Sequence, residues 1–263
     1  MVSIVIRNKN EARALENILS IITNVYSGDY QEIIIVDNNS TDDSLEVALK
    51  YKCKIVNIKD FSYGRATNYG IEAAVSKYIL LLSSHAIPIG KSFFINTLRA
   101  LEEEENIAGI RYINSIENYN RAVKNNFRVT EPLKYGLMTG CAIVNKEIWL
   151  QFKFDEELPF SEDKEWSERV TNHGFQILDL NETFFYFIKR DTKSSILRYK
   201  NETISEYLLH KKKFSSLNWI LLSFAKKIFF INTKKYFKLI IYDILILKSK
   251  IEIHKELKKR VSD

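Results

Sequence analysis

A short apolar strand that runs directly into a polar cluster is encoded by residues 32–43, EIIIVDNNSTDD. The β-branched residues favour a buried strand, and Ser40 or Thr41 can cap the helix that follows. The same order of strand, polar residues and helix occurs upstream, in residues 2–25. This repeated alternation predicts parallel strands joined by helices, which is an α/β fold.

The alternation continues beyond these two units. A third strand is predicted over 54–58, a helix over 65–74 and a fourth strand over 78–82, which the polar loop 83–88 follows. Connections of this kind are right-handed, and ligands of such sheets bind beyond the carboxyl ends of the strands. Polar clusters follow the first, second and fourth strands, so the spacing is compatible with nucleotide binding. In the less regular second half we expect strands over 107–113 and 138–144 and a helix from Ser161 to about His173 that Gly174 ends.

The positive charge of the chain is concentrated in its C-terminal part. The 263 residues carry a formal net charge of +6, but residues 189–263 hold 19 Lys and Arg against 7 Asp and Glu. The first 188 residues are therefore net negative, by 6 charges. Cys53 and Cys141 are far apart and show neither metal-ligand nor disulfide spacing, which suits a reducing compartment.

Lysines alternate with aromatic and aliphatic blocks over residues 217–242, as in helices that lie at a membrane interface. No apolar run approaches the ~18 residues needed to span a bilayer, so we expect no crossing of the membrane. The predicted organisation is a catalytic domain at 1–195 and a helical, basic, amphipathic region at 196–263. The partner of that region is an anionic membrane surface, or, alternatively, the region packs on the catalytic domain with a solvated basic face.

Several short motifs occur in one order along the first 190 residues. In chain order, the motifs are VSIVI at 2–6 with Asn10-Glu11, VDNNSTD at 36–42, ATNYGI at 66–71, FDE at 154–156 and Glu162-Asp163. The ordered set resembles the motifs of the inverting family-2 glycosyltransferases, of the kind that build bacterial surface polysaccharides. The resemblance implies the GT-A fold, a Rossmann-like and mostly parallel central sheet flanked by helices, here with a helical basic appendage.

The resemblance also implies an activity. It is transfer of a hexosyl or deoxyhexosyl group, with inversion, from a nucleotide-diphosphate donor to a hydroxyl of a glycan or lipid-linked acceptor. Capsule, O-antigen or lipooligosaccharide synthesis is the expected setting, in the cytoplasm and peripheral on the inner face of the membrane.

The resemblance assigns roles to individual residues. Asp163 is the expected catalytic base, although an acid there also suits the first turn of a helix. Asp37 is expected to bind the nucleobase, with an Asx turn as the alternative, and Trp166 to stack on a sugar, with core packing as the alternative. The other expected donor-side residues are Asn10, Glu11, Arg65, Asn68, Ser83 and His85, and Gly140 and Glu162 join Trp166 on the acceptor side.

One departure affects the metal. The family's Asp-x-Asp after the fourth strand, which holds a divalent cation on the donor, is Ser83-Ser84-His85 here. His85 is expected to ligate Mn²⁺ or Mg²⁺, or to bind the diphosphate directly without metal, or to be structural. Arg7 and Arg65 are candidates for neutralising phosphate. The family's Pro-Thr-Tyr after the first strand is likewise replaced, by Arg7-Asn8-Lys9.

Three other functions compete with the transferase. A nucleotidyltransferase would have a Gly-rich loop after the first strand, and residues 7–11 contain no glycine. A non-catalytic partner that lost Asp-x-Asp has no reason to keep Glu162-Asp163. Nucleic-acid binding is not expected, because the large aliphatic blocks of the tail fit lipid better than a phosphate backbone.

Overall fold

The computed structural model describes residues 1–188, 191–211 and 215–262, with side chains as far as 253. Lys212 and Lys213 of the predicted basic region lie outside the described residues. The chain forms two compact units, Met1–Lys211 and Lys212–Asp263. The division predicted after residue 195 stays a prediction; a helix of the first unit, Thr192–His210, spans that position.

The first unit is built on a seven-stranded sheet of order β3-β2-β1-β4-β7-β6-β8. Strands β3, β2, β1 and β4 are parallel to one another, β6 and β8 are parallel, and β7 is antiparallel to both β4 and β6. The mostly parallel sheet predicted from the alternation is confirmed. The strands are β1 Val2–Asn8, β2 Tyr30–Asp37, β3 Lys54–Asn57, β4 Tyr78–Ser83, β6 Ile107–Tyr112, β7 Cys141–Asn145 and β8 Gln176–Leu180, with β5 Ala86–Ile89 and β9 Thr183–Tyr186 in a separate pair.

Helices cover both faces of the sheet. On β1, Ile4 and Ile6 pack in the core under α1, while Val5 points to the opposite core, with Ile71 of α3. Alternation along each strand therefore supplies two cores from one sheet. The helices are α1 Ala12–Val25, α2 Ser44–Lys50, α3 Tyr63–Ala73, α4 Phe93–Glu103, α5 Ile116–Lys124, α6 Pro132–Tyr135, α7 Lys146–Gln151, α8 Glu162–Asn172 and α9 Thr192–His210.

Helix α3 lies unusually close to its neighbours because two of its residues are glycines. A Cβ on Gly70 would approach a methyl carbon of Val5 to 2.3 Å, and a Cβ on Gly64 would approach the carbonyl oxygen of Asp155 to 2.0 Å. The side chain of Ser62 caps the helix by accepting from the Arg65 N–H at 3.1 Å. This packing holds the first turns of α3 against the loop that leads to α8.

Strand β5 occupies residues that the sequence predicts as loop. It pairs antiparallel with β9, with Pro88 opposite Phe184, and β9 and β8 were not predicted. Each strand of the pair has four residues, and one contains a proline, which is tolerated at an edge. Runs this short show no clear alternation, so the pattern did not reveal them.

The second unit is helical throughout its described length. It consists of α10 Leu217–Lys226, a π-helical segment Lys227–Asn232 and α11 Thr233–Ser262. None of the helices in the described residues combines the length and apolar character needed to cross a bilayer. Large apolar side chains are nevertheless exposed along this unit, among them Trp219, Leu222, Phe229, Phe230, Tyr236 and Phe237.

Replacing Gly64 by alanine is expected to destabilise the first unit by about 1–3 kcal/mol, despite the better helix propensity of alanine. The new Cβ would clash with backbone, which cannot rotate away. Gly140→Ala is the matched control, because its Cβ would be 3.5 Å from Tyr186, an ordinary contact. Urea unfolding followed by circular dichroism measures both, and equal midpoints for the two variants would contradict the close approach.

Candidate active site

A cleft of about 700 Å³ lies at the carboxyl ends of the parallel strands. It is lined by residues 7–9 at the end of β1, Asn38 after β2, residues 83–85 at the end of β4, and residues 161–163 at the start of α8. Loops distant in sequence therefore meet at one edge of the sheet, as expected for an α/β ligand site.

The start of α8 presents Asp163 to this cleft. Ser161, the residue before the helix, has a left-handed backbone with φ of 63°, which is strained for a residue with a side chain. This turn directs Glu162 inward, where it is buried, and leaves Asp163 partly exposed at the cleft wall. The Asp163 carboxylate accepts from the N–H groups of Lys164, at 2.9 Å, and Thr139, at 3.4 Å.

The Asp163 carboxyl holds its proton unusually strongly. Burial, and then the adjacent Glu162 carboxylate, raise its pKa from 3.8 to about 7, against the opposing effect of the two N–H donors and of Arg7. A carboxyl group whose pKa is near neutrality can take up and release a proton under ordinary conditions.

Arg7 is held within the protein by several partners. Its guanidinium donates to Glu162 at 3.3 Å and to Thr67 at 3.1 Å, and its second amino group donates to the Thr139 hydroxyl at 3.1 Å. The guanidinium also lies over the Tyr63 ring, 5.3 Å from its centre. Most of its donors are thus used by the protein, which weakens the hypothesis that Arg7 neutralises phosphate.

Arg65 and Asn68 lie away from the cleft lining. Arg65 donates to Glu156 at 2.9 Å and to the carbonyl of Asp60 at 3.0 Å. Asn68 is buried and binds Trp149, both backbone polar groups of Phe154, and Glu156. These contacts join α3 to residues 154–156. In this structure, both residues therefore support the site without lining the cleft.

Asp37 is fully buried, and its carboxylate is hydrogen-bonded within the protein. It accepts from the N–H of Ser40 at 2.8 Å, from the Ser40 hydroxyl at 2.6 Å and from Asn8 at 3.2 Å. The Asp37 side chain thus holds the turn after β2 through Ser40, three residues further on, and Asn38 rather than Asp37 lines the cleft. Asn10 supports the same loop, since its side-chain amide oxygen accepts a hydrogen bond from the Thr41 N–H at 2.7 Å.

His85 lines the cleft beside Ser83. Its Nε2 atom is 3.3 Å from a carboxylate oxygen of Glu11, and its ring stands edge-on to Phe187 with centroids 6.0 Å apart. The Ser83 hydroxyl accepts from the His85 N–H at 3.3 Å. Three of the expected donor-side residues, Glu11, Ser83 and His85, are thus brought together.

The prediction for Trp166 is corrected by the structure. Its side chain is fully buried and stacks on Phe154 with ring centroids 5.0 Å apart, so it cannot contact a sugar. Gly140 does line the cleft, and Glu162 reaches the cleft wall although it is almost fully buried.

An aromatic group at the cleft was not foreseen. Tyr63 packs edge-on against Phe61, at 5.0 Å, and against Phe160, at 5.4 Å, and Arg198 of α9 lies 5.3 Å over the Phe160 ring. Flat apolar faces beside polar side chains suit sugar rings and nucleobases. Phe61 lies two residues before α3, and Tyr63 is its first residue. At such positions the sequence shows no periodicity that would distinguish a cleft aromatic from a core aromatic.

Comparisons with known proteins agree with this geometry. A family model described as glycosyl transferase family 2 matches residues 3–162. No curated protein matches the sequence. Among solved structures, a mannosyltransferase from Pyrobaculum calidifontis in complex with GDP-Man and Mn²⁺ is similar at a TM-score of 0.62 and 15% identity, over 82% of this chain and 65% of that chain.

A second similar structure is glucosyl-3-phosphoglycerate synthase from Mycobacterium tuberculosis with Mn²⁺ and UDP-glucose. The TM-score is 0.61 and the identity 16%, over 82% of this chain and 80% of that chain. The chain spans just under two thirds of the mannosyltransferase's length. At these identities the likeness establishes the fold, and the GT-A fold expected from the motifs is confirmed.

The raised pKa of Asp163 predicts a pH-dependent cost in stability. Between its ordinary pKa of 3.8 and about 7, the folded protein keeps a proton that the unfolded chain has released. The unfolding free energy therefore falls as the pH rises through this interval, and the loss is complete above it. The unfolding free energy of Asp163→Asn is expected to exceed that of the parent by roughly 2–4 kcal/mol at pH 8 and to be nearly the same near pH 4.

Urea unfolding across this pH range measures the effect. Asp43→Asn, at an exposed aspartate before α2, is the control and should leave the pH profile unchanged. A parallel profile for Asp163→Asn and the parent would contradict the burial of that carboxylate.

Proposed function

The chain belongs to glycosyl transferase family 2, and from that premise we propose which reaction it performs and with which residues. It moves a hexosyl or deoxyhexosyl group, with inversion, from a nucleotide-diphosphate donor to a hydroxyl of a glycan or lipid-linked acceptor. The observation that carries this proposal is the position of Asp163, at the wall of a polar and aromatic cleft, with a pKa raised to about 7.

Asp163 acts as the base in a single displacement. The acceptor hydroxyl transfers its proton to the Asp163 carboxylate while its oxygen forms a bond to the anomeric carbon. The bond from that carbon to the diphosphate oxygen breaks on the opposite face, which inverts the configuration. A base whose pKa lies close to neutral pH is strong enough to take this proton and is still ionised in a large fraction of molecules.

The neighbours of Asp163 position it for this step. Glu162 is fixed by Arg7 and Thr139, and the Thr139 N–H reaches Asp163 itself. We assign the donor to the side of the cleft formed by Asn38, Ser83 and His85, with Asn10 and Asp37 supporting the Asn38 loop. The acceptor then lies on the side of Gly140.

A cavity of about 430 Å³ adjoins the acceptor side and shares Asn114 with the cleft. Its lining includes the exposed ring of Tyr119 and the amide of Asn181. An aromatic face with amide groups is suited to a further sugar unit of the acceptor, which supports a glycan rather than a small metabolite.

The setting that we propose is the synthesis of a bacterial surface glycan, such as capsule, O-antigen or lipooligosaccharide, with the enzyme peripheral on the inner face of the membrane. Support comes from the second unit, in which apolar side chains such as Trp219, Phe229 and Phe230 are exposed and lysines such as Lys226 and Lys227 stand between them. Apolar residues flanked by lysines suit the interface of an anionic bilayer.

Asp163→Asn is expected to lower sugar transfer at least about 100-fold, because the amide cannot accept the acceptor proton. In the parent, kcat/KM should rise with pH through about 7, the pKa of Asp163. The assay first selects the donor by thermal shift across UDP-, GDP-, CMP- and dTDP-sugars and then follows transfer or slow hydrolysis of that donor.

The control for this variant is its own donor affinity, which should match that of the parent. Full activity in Asp163→Asn would remove the base assignment. If none of the nucleotide sugars raises the melting temperature, the donor class that we propose is wrong.

Replacing Lys226, Lys227, Lys234 and Lys235 by glutamine is expected to abolish most binding to phosphatidylserine vesicles at low salt, since each lysine near such a surface contributes about 1 kcal/mol. The matched control replaces four exposed lysines of the first unit, Lys59, Lys91, Lys124 and Lys134. Co-sedimentation measures both, and high salt should release the parent. Equal binding by the two quadruple variants, or none by the parent, would contradict the membrane proposal.

A further inference from the structure

A donor diphosphate needs positive charge nearby when it leaves. Two of the solved structures that are similar to this chain contain Mn²⁺ together with a nucleotide sugar. The residues of this chain do not fit such an ion. Within the described part of the chain, no three His, Cys, Asp or Glu side chains come together to hold a metal. At the end of β4, Ser83 and His85 replace the two acids of Asp-x-Asp, and His85 faces a single carboxylate, that of Glu11. Hard divalent cations prefer several oxygen ligands, which this pair does not provide.

Among the residues that the structure describes, four basic side chains line the cleft. Three of them have acidic partners: Arg7 contacts Glu162 at 3.3 Å, Arg198 contacts Glu202 at 2.6 Å, and the His85 ring faces Glu11. The fourth, Lys9, is exposed and has no ion pair or side-chain hydrogen bond with any residue that the structure describes. Of these four described side chains, Lys9 is the one whose charge is still available to a ligand.

The backbone that carries Lys9 is fixed on both sides. Asn8 before it is buried and donates to Asp37 and to Ser40, each at 3.2 Å. Asn10 after it has a left-handed backbone, with φ of 52°, and its N–H donates to the Ser40 hydroxyl at 2.9 Å. The loop after β2 thus holds the loop after β1, and Lys9 is placed at the cleft by a rigid support rather than by a free loop.

We propose that Lys9 binds the diphosphate of the donor and supplies the charge that a divalent cation would otherwise supply, so that this enzyme binds and uses its donor without metal. The inference rests on the proposed function, because it presumes a nucleotide-diphosphate donor. The ammonium donates charge-assisted hydrogen bonds to phosphate oxygens and stabilises the negative charge that forms as the sugar leaves. His85 lies on the same side of the cleft and Glu11 orients its ring.

Calorimetric titration of the full chain tests this without any turnover. UDP, GDP and dTDP, and the corresponding nucleosides, are titrated in EDTA and then in Mn²⁺. One of the diphosphates is expected to bind in EDTA, with the same affinity after Mn²⁺ is added. Lys9→Met should lower the affinity for that diphosphate about tenfold and leave the affinity for the nucleoside unchanged. Lys9→Arg should retain most of the diphosphate affinity.

Lys91→Met is the matched control, because Lys91 is exposed and lies outside the cleft lining. The proposal is overturned if the diphosphate binds only with Mn²⁺, or if Lys9→Met binds it as the parent does. In either case the proposed function still stands, since a nucleotide has bound. If no diphosphate binds with or without Mn²⁺, the proposed function fails together with this inference.

Discussion

The guanidinium of Arg7, which is mostly shielded from solvent, joins parts of the chain that are far apart in sequence. It extends from the end of β1 and contacts Thr67 on α3, Thr139 before β7 and Glu162 at the start of α8. A buried charge is tolerated only when its partners satisfy it, so the three contacts must form together for any of them to be favourable. The interaction therefore fixes where α8 begins relative to the sheet, and with it the position of Asp163.

The same interaction distinguishes the surroundings of Glu162 from those of Asp163, the proposed base. Glu162 receives hydrogen bonds from Arg7 and from the Thr139 hydroxyl, and its charge is neutralised in place. For Asp163, burial and then the adjacent Glu162 carboxylate raise the pKa to about 7, although two backbone N–H groups donate to it. Two adjacent acids thus have different surroundings: Glu162 is hydrogen-bonded to Arg7, and Asp163 lies at the cleft wall. The strain at Ser161 and the cost of burying Asp163 are stability given up for this arrangement.

The sequence predicts those features of the fold and site that depend on residues close together in the chain. It does not predict those that depend on contacts between distant residues. The parallel half of the sheet was predictable because β-branched strands ending in polar clusters are local patterns. The hydrogen bonds from Ser40 to Asp37 are local as well, whereas the nucleobase role expected of Asp37 stays a prediction. Trp166 shows the limit: an aromatic residue near a catalytic acid can face either side of a helix, and packing on Phe154 decides which. Arg7 could be noted as unusual, but its partner Glu162 is 155 positions away, and nothing in a single sequence indicates that pairing.

The departures from the family's motifs occur at one place in the fold and have one electrostatic consequence. In the pattern that the chain resembles, two carboxylates and one divalent cation together contribute no net charge where the diphosphate binds. Here both carboxylates are absent, as Ser83 and His85, and two cations, Arg7 and Lys9, have appeared at the end of the adjacent strand. Since Glu162 pairs with Arg7, Lys9 is the one of these two cations whose charge is left for the proposed donor. In the proposal above, the loss of the two acids removes the negative charge that a divalent ion would cancel. One ammonium group then makes this part of the cleft favourable to an anion.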